Sequence, residues 1–344
     1  MAVKLKPLAQ QVLVVTGASS GIGLVTAKMA AARGARVLLV ARDEPALSRA
    51  VAEIAAAGGE ADHAVADVGD YEQVLAAAAK AVARFGRIDG WVNNAGVAIY
   101  AKLMETPVEE HRRLFDTNYF GVVHGAMAAV PHLRESGGAF ITVASIVSDM
   151  SSPIMGTYAA SKHAVKAYVE ALRIELMKEG APISVTLVKP AGIDTPIAQH
   201  AANHLDGEAQ VPPPVYAPEL VAEAILHAAE HPRRDLTVGG AGRAQVLFAE
   251  HFPGLMDRIA PVFARTFVRK TEEPTPGSNL FAAGGGSERS GKLSPREASL
   301  YTAGVLHPLV TAGLAGAGVA AAALAWRAVR GRKDRPAAEQ APEE

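Results

Sequence analysis

The 344-residue sequence contains no cysteine, which excludes disulfide bonds and thiolate chemistry. It also has almost no net charge. Its 34 Lys and Arg stand against 35 Asp and Glu, a balance of −1, so electrostatics give no case for nucleic acid as a partner. The opening stretch MAVKLKPLAQQVLVVTGASSG lacks an apolar run of signal-peptide type. Its hydrophobic run, Val12 to Val15, is strand-sized and leads into a glycine turn, which predicts a cytoplasmic catalytic portion. His111, His124, His132 and His163 show no grouping with carboxylates at metal-ligand spacing, and no metal is expected. Apolar residues are plentiful. At 49% they predict a substantial core, in one large domain with appendages or in two domains.

Up to about residue 240, short apolar β-branched runs alternate with Ala-rich segments. VLVVT (12–16), RVLLVA (36–41), ADHAVAD (61–67), IDGWVNN (88–94), AFITVAS (139–145), ISVTLV (183–188) and DLTVG (235–239) read as seven strands. Segments 22–33, 44–57, 70–85, 108–134, 158–179 and 218–231 read as helices. Near-continuous apolar strands separated by helices predict an α/β fold whose parallel sheet is covered on both faces. Ligands bind such sheets beyond the carboxyl ends of the strands, so functional residues are expected just after each apolar run.

The turn after the first run reads TGASSGIG, residues 16–23. Gly17, Gly21 and Gly23 let the chain turn sharply, approach a pyrophosphate and pack the next helix closely, while the helix start offers N–H groups to phosphate. Ser19, Ser20 and Ile22 complete that cofactor-binding turn. The second run ends VARDEPAL. Ala41 stands where an NAD binder usually carries an acidic residue, and Arg42 follows, suited by charge and fork geometry to a 2′-phosphate. Asp43 reads either as the acidic ribose partner or as a helix N-cap. NADP(H) is therefore expected over NAD(H). Further along, TYAASKHAV (157–165) puts Tyr158 and Lys162 four positions apart on one helix face. An ammonium beside a phenol stabilises the phenolate and suits proton transfer.

With these segments together, the chain resembles the short-chain dehydrogenase/reductase family. The matching motifs are TGASSGIG, the Asp67–Val68 pair, NNAG at 93–96, Asn118 in DTNYFG, Ser145 in VASIVS and YAASK at 158–162. They stand in the family's order and at its spacing, over roughly residues 8 to 245. The resemblance implies a Rossmann-type, doubly wound, seven-stranded parallel sheet. It implies that Tyr158 exchanges a proton with the substrate oxygen, and that Ser145 hydrogen-bonds that oxygen. Lys162 would lower the phenol pKa and bond the nicotinamide ribose, and Asn118 would hold a water linking Lys162 to solvent. Ser148 is a second hydroxyl within reach. For the cofactor, the resemblance assigns Asp67 and Val68 to the adenine and Asn94, Ala95 and Gly96 to the adenosine ribose side. Pro190, Gly192, Ile193 and Thr195 fall to the nicotinamide carboxamide. A four-residue Tyr–Lys spacing resembles carbonyl reductases. One departure is that KPAGIDTP carries Ala191 at the family's usual glycine, which puts the local backbone path in question.

The implied activity is an NADP-dependent interconversion of a small-molecule carbonyl and a secondary or primary alcohol, the substrate a hydrophobic one. The rival is a non-catalytic NAD(P)-sensing protein of the same fold, which would have no need of Asn118, Ser145, Tyr158 and Lys162. A sugar-nucleotide epimerase is disfavoured, because the chain shows GxxxGxG rather than GxxGxxG. A homo-oligomer is expected, since relatives of this fold often associate through the helices holding Asn118 and Tyr158. Selectivity would sit at about 193–217, with a composition that fits a lid. Beyond the 8–245 catalytic domain, 246–270 reads as a short helical extension and 271–298 as a flexible Gly/Ser/Pro-rich linker. Residues 299–330 read as an apolar helix and 331–344 as a charged tail. Within that helix, 309–326 carries no charge and is long enough for a membrane span. It reads as a tail anchor, a shallow or paired membrane segment, or a helix buried in an oligomer.

Overall fold

All seven apolar runs enter one parallel sheet. The structure, a computed structural model, describes residues 3–270, 272, 277–284, 286–308 and 311. The sheet strands are β1 (Val12–Thr16), β2 (Arg36–Ala41), β3 (Glu60–Val65), β4 (Gly90–Asn93), β5 (Gly138–Val143), β6 (Ile183–Pro190) and β7 (Asp235–Val238). Their spatial order is β7-β6-β5-β4-β1-β2-β3, with every pairing parallel. The order reverses at β1, so the carboxyl ends of β1 and β4 flank a crevice at the topological switch point.

Helices α1 (Gly21–Ala32), α2 (Glu44–Ala56), α3 (Tyr71–Phe85), α4 (Val108–Phe115), α5 (Gly121–Ser136), α6 (Gly156–Lys178), the single turn α7 (Ile197–His200) and α8 (Pro218–Glu230) connect the strands. Local chemistry sets several of their ends. Asp43 and Asp70 cap α2 and α3, accepting from Ala46 N and Gln73 N, and Gly86 ends α3 in the left-handed region. Helices α1, α2 and α8 cover one face, and α3, α5 and α6 the other. This burial on both faces explains why β1, β4, β5 and β6 are buried at every position. Trp91 is fully buried in β4, and its indole N–H is satisfied by Asn93 Oδ1 at 2.9 Å.

The long helix expected over 108–134 is divided. A π-helical turn, Asp116–Phe120, separates α4 from α5, and Asn118 sits at its centre. Its amide reaches across to Val97, donating from Nδ2 to the carbonyl at 3.0 Å and accepting at Oδ1 from the amide at 2.8 Å. Such widened turns concentrate at functional sites.

After β7 the chain forms a helical pair, α9 (Gly240–His251) and α10 (Pro253–Ala264). The chain divides after Thr302 into two compact units, and the first holds everything above. Among the described residues no helix is long and apolar enough to cross a membrane. The segment 309–326, apart from Thr311, lies outside the described residues.

Candidate active site

The site begins where β1 ends. At Gly17 the backbone turns with φ +64°, and a Cβ there would lie 2.7 Å from Ala95 Cα. The glycine turn and the segment after β4 thus meet backbone to backbone, a contact open only to glycine. A Cβ on Gly23 would lie 2.3 Å from the Gly17 carbonyl oxygen, so α1 can start close against the turn. Asn94 braces this arrangement, donating from Nδ2 to the carbonyls of Thr16 (2.9 Å) and Gly17 (3.2 Å). The Thr16 hydroxyl in turn accepts from the amides of Asn94 and Ala95 at 3.0 and 3.1 Å. The Asn94 side chain is therefore committed to shaping the turn. Ala95 and Gly96 line the groove itself, with Gly17, Ser19, Ser20, Gly21 and Ile22.

At the far end of the groove lie Arg42, Asp67 and Val68. The alternative readings of Asp43 resolve in favour of the N-cap, since its carboxylate accepts from Ala46 N at 2.9 Å. Asp67 is held by its own turn, accepting at Oδ1 from Gly69 N at 2.9 Å. Its other oxygen faces Arg42 at 3.8 Å and forms an ion pair with Arg113. Burial lowers the Arg42 pKa, opposed by the nearby Asp67 charge. Arg113 was not among the residues read from the sequence. It comes from α4, far along the chain, inside an ordinary charged run with no motif to mark it.

At the other end, Ser145 follows β5 and Tyr158 and Lys162 lie on the first turns of α6. Ser145 Oγ accepts from Val147 N at 3.3 Å, and Ser145 N donates to Ser148 Oγ at 3.3 Å. This reciprocal cap turns Ser148 inward, where it is buried, and leaves Ser145 as the hydroxyl bonded to the Tyr158 phenol. Burial pushes that phenol up to about 12, and the Ser145 bond pulls it partly back. The Lys162 ammonium, 5.6 Å from the Tyr158 ring centroid, donates to the Val143 carbonyl at 2.9 Å. Burial brings its own pKa down to about 8. Burial and the Ser145 bond set the phenol's shift, and the lowering expected from Lys162 is not among its causes. Asn118 Nδ2 also donates to Ser161 Oγ at 3.1 Å, so its side chain ties the π-helical turn to α6 and to Val97. The loop into α6 carries Ile154 with φ +70°, uncommon for a β-branched residue, and Ala101 N donates to its carbonyl at 2.8 Å.

Past β6, Pro190, Gly192, Ile193 and Thr195 all line the groove. The departure at Ala191 is accommodated by two glycines. A Cβ on Gly242 or Gly239 would lie 2.6 or 2.8 Å from the Ala191 methyl, so the side chain missing at the usual glycine is missing here from α9 and its approach instead. His163 stays outside the site, its ring nitrogen paired with the Ala159 carbonyl at 2.9 Å.

The groove runs on into an inner cavity, the two together enclosing about 760 Å³. Beyond Tyr158 its walls are largely apolar, and Tyr100, Met150, Val211, Met256, Phe263 and Phe267 come from widely separated segments. Burial raises the Tyr100 phenol far above its ordinary range. The 193–217 stretch is tied down on both sides. Ala202–Asn203 pairs with Ile99–Tyr100, and Glu208–Ala209 with Val268–Arg269. The stretch that composition reads as a flexible linker also reaches the site, where Asn279, Ala283 and Gly284 line the cavity. Leu280 anchors it, 1% exposed, among Val97, Ile99, Leu114 and Ala202. One buried leucine, a series of carbonyl acceptors and a few isolated polar anchors such as Glu288 and Ser290 hold it, a signal too sparse to stand out from Gly/Ser-rich composition.

These residues fit a dinucleotide. The groove offers helix-start amides at its middle, two guanidiniums at one end and a phenol–ammonium pair at the other. Comparison with known proteins agrees. Residues 11–206 match the family model described as short chain dehydrogenase. The chain is 43% identical over 334 residues to the oxidoreductase YxnA of Bacillus subtilis (strain 168), covering 95% of this chain and 92% of that protein. It is 34% identical over 252 residues to dehydrogenase/reductase SDR family member 7B of Xenopus tropicalis, covering 68% and 78%. Among solved structures, a short-chain dehydrogenase/reductase from Burkholderia phymatum in complex with NAD superposes with a TM-score of 0.66 at 30% identity, covering 73% of this chain and 97% of its own. An alcohol dehydrogenase from Thermococcus sibiricus complexed with 5-hydroxy-NADP superposes with a TM-score of 0.59 at 27% identity, covering 66% and 95%. The chain belongs to the short-chain dehydrogenase/reductase family and is an NAD(P)-dependent oxidoreductase.

Proposed function

We propose that this oxidoreductase interconverts a hydrophobic ketone or aldehyde and the corresponding alcohol, prefers NADP(H) to NAD(H), and uses Tyr158 as its acid and base. One observation carries the reading. The Ser145 hydroxyl, the Tyr158 phenol and the Lys162 ammonium converge where the dinucleotide groove meets an apolar cavity. The nicotinamide, when bound, supplies or takes the hydride. Ser145 donates to the carbonyl oxygen and fixes it beside Tyr158. Tyr158 Oη gives its proton to that oxygen in reduction and recovers it from the alcohol in oxidation. At pH 7 the phenol is protonated, the form required for carbonyl reduction. Lys162 anchors the nicotinamide ribose from the buried side of α6. Pro190, Gly192, Ile193 and Thr195 bound the carboxamide, and Asn118 keeps Val97 and α6 in register.

The NADP preference rests on Arg42 and Arg113 converging on Asp67, which gives a 2′-phosphate two cationic forks. The apolar walls favour an uncharged, extended substrate. Self-association is part of the reading too, since α5 and α6 expose Met127, Ile174 and Met177 at 50, 65 and 72%. Sedimentation should show a dimer or larger.

The test is a panel of ketones, steroids and fatty carbonyls followed by loss of NADPH absorbance. Turnover on apolar carbonyls, faster with NADPH than NADH, is expected. Tight NADPH binding with no turnover across the panel would reject this reading in favour of a cofactor sensor.

A further inference from the structure

The segment after α10 crosses the mouth of the dinucleotide groove, and it does so by bonding to groups that the cofactor's phosphates would use. At one side, Arg42 donates to the carbonyls of Asn279 and Leu280, and Arg113 Nε donates to the Leu280 carbonyl at 2.9 Å. At the other side, Gly21 N, the first amide of α1, donates to the Ser287 carbonyl at 2.9 Å. An N-terminal amide of that helix is a natural phosphate ligand. Between these ends, Ala283 and Gly284 line the cavity beneath.

The crossing is anchored at both ends. Asn279 N donates to the His200 carbonyl at 2.7 Å, and Leu280 is buried. On the far side, Glu288 pairs with Lys28 at 2.5 Å, and Ser290 donates from its amide and its hydroxyl to Asp194 Oδ1. The backbone runs so close to α2 that a Cβ on Gly286 would lie 2.8 Å from Arg49 Nη2 and 3.1 Å from Ala46 Cβ. A strap of small residues can lie this flat; a strap of larger ones would stand off.

We propose that residues 279–284 and 286–290 form a strap that must lift from Gly21 and Arg42 before the nicotinamide cofactor can enter the groove. The inference rests on the groove being the cofactor site and deepens that reading into its regulation. Two phosphate-recognition points are bonded to the chain's own carbonyls, so cofactor phosphates and strap compete for the same donors. Lifting exposes Gly21 N and frees the Arg42 fork. The strap's anchors, rather than the diffusion of the nucleotide, then set the rate of entry.

Stopped-flow mixing of the full-length chain with NADPH, followed by nucleotide fluorescence, tests this. In the parent protein the association rate should level off as NADPH concentration rises, because opening becomes limiting. Gly286→Leu wedges the strap off α2, and Ser290→Ala removes an anchor without touching the groove. Each should raise that plateau by about tenfold, with the dissociation rate unchanged or lower. A linear association rate in the parent, or rates unchanged in both variants, would overturn the strap while leaving the cofactor site intact. Absence of NADPH binding by parent and variants alike would instead remove the groove assignment, and the strap with it.

Discussion

The nucleotide half of the groove and the substrate half are built on opposite principles. The first comes from the ends of neighbouring strands, β1, β2, β3 and β4, each followed closely by its functional residues. Its polar groups are nearly all committed, with Thr16, Asn94 and Asp67 bonded within the turns they shape. The second is assembled from the segment after β4, the 193–217 stretch, α9, α10 and the chain beyond, tied together by short backbone pairings while apolar side chains form its inner wall. Backbone amides are specified by local turn geometry, so the nucleotide half tolerates little change. An apolar wall needs only shape and hydrophobicity, and can vary while the chemistry stays fixed.

Tyr158 stands at the junction, and removing its hydroxyl gives the largest expected effect. Tyr158→Phe should lower turnover on a model ketone by about a thousandfold, with the NADPH dissociation constant unchanged in a fluorescence titration. That outcome separates chemistry from binding. A variant that keeps its turnover would take Tyr158 out of the mechanism and blur the division between the halves.

Within the nucleotide half, Arg42→Ala should remove a charge-assisted contact of about 1.5–3 kcal/mol, reducing the preference for NADPH over NADH by ~10- to 100-fold. The KM for the ketone should not move. In the substrate half, Phe263→Ala should do the reverse. Removing part of the apolar wall should raise the KM of a long apolar ketone by about tenfold, leaving short ketones and both cofactors unaffected. If either substitution changed the constants of the other half, the two regions could not be independent.

The contrast also explains what could be read from the chain alone. The central strands β1, β4, β5 and β6 are legible because burial on both faces forces continuous apolar runs, and the glycine turn because its spacing is local. The sequence shows the helix over 108–134 as unbroken, since nothing near Asn118 announces the π-helical turn, and the bond from Asn118 to Val97 spans twenty-one positions. Arg113 and the strap escaped for the same reason. Arg113 belongs to the site only because α4 passes Asp67, and Gly286 fits only because α2 lies beneath it. Composition reads the strap as a linker because much of its hold is through backbone carbonyls, and its few side-chain anchors, Leu280, Glu288 and Ser290, are scattered among Gly and Ser. Asp43 was ambiguous in sequence and is not in structure, as its N-cap bond is a matter of three residues.

The smallest effect sharpens the junction itself, where Lys162 is buried by both halves at once. Its pKa falls from 10.5 to about 8 through desolvation. Below about 8 both folded and unfolded chains hold the proton, and the full cost of burying the charge is present. Between about 8 and 10.5 the unfolded chain still holds it and the folded chain does not, so this group's contribution to stability rises with pH across that window. Lys162→Met carries no such proton. Denaturant titrations without added nucleotide should therefore show the parent gaining on the variant by about 1 kcal/mol per pH unit above pH 8. Parallel pH curves would mean that the ammonium is solvated, and that the site is less closed between its halves than its packing shows. Turnover should be lost in the variant at every pH, because the methionine cannot bond the nicotinamide ribose even where it makes the fold more stable.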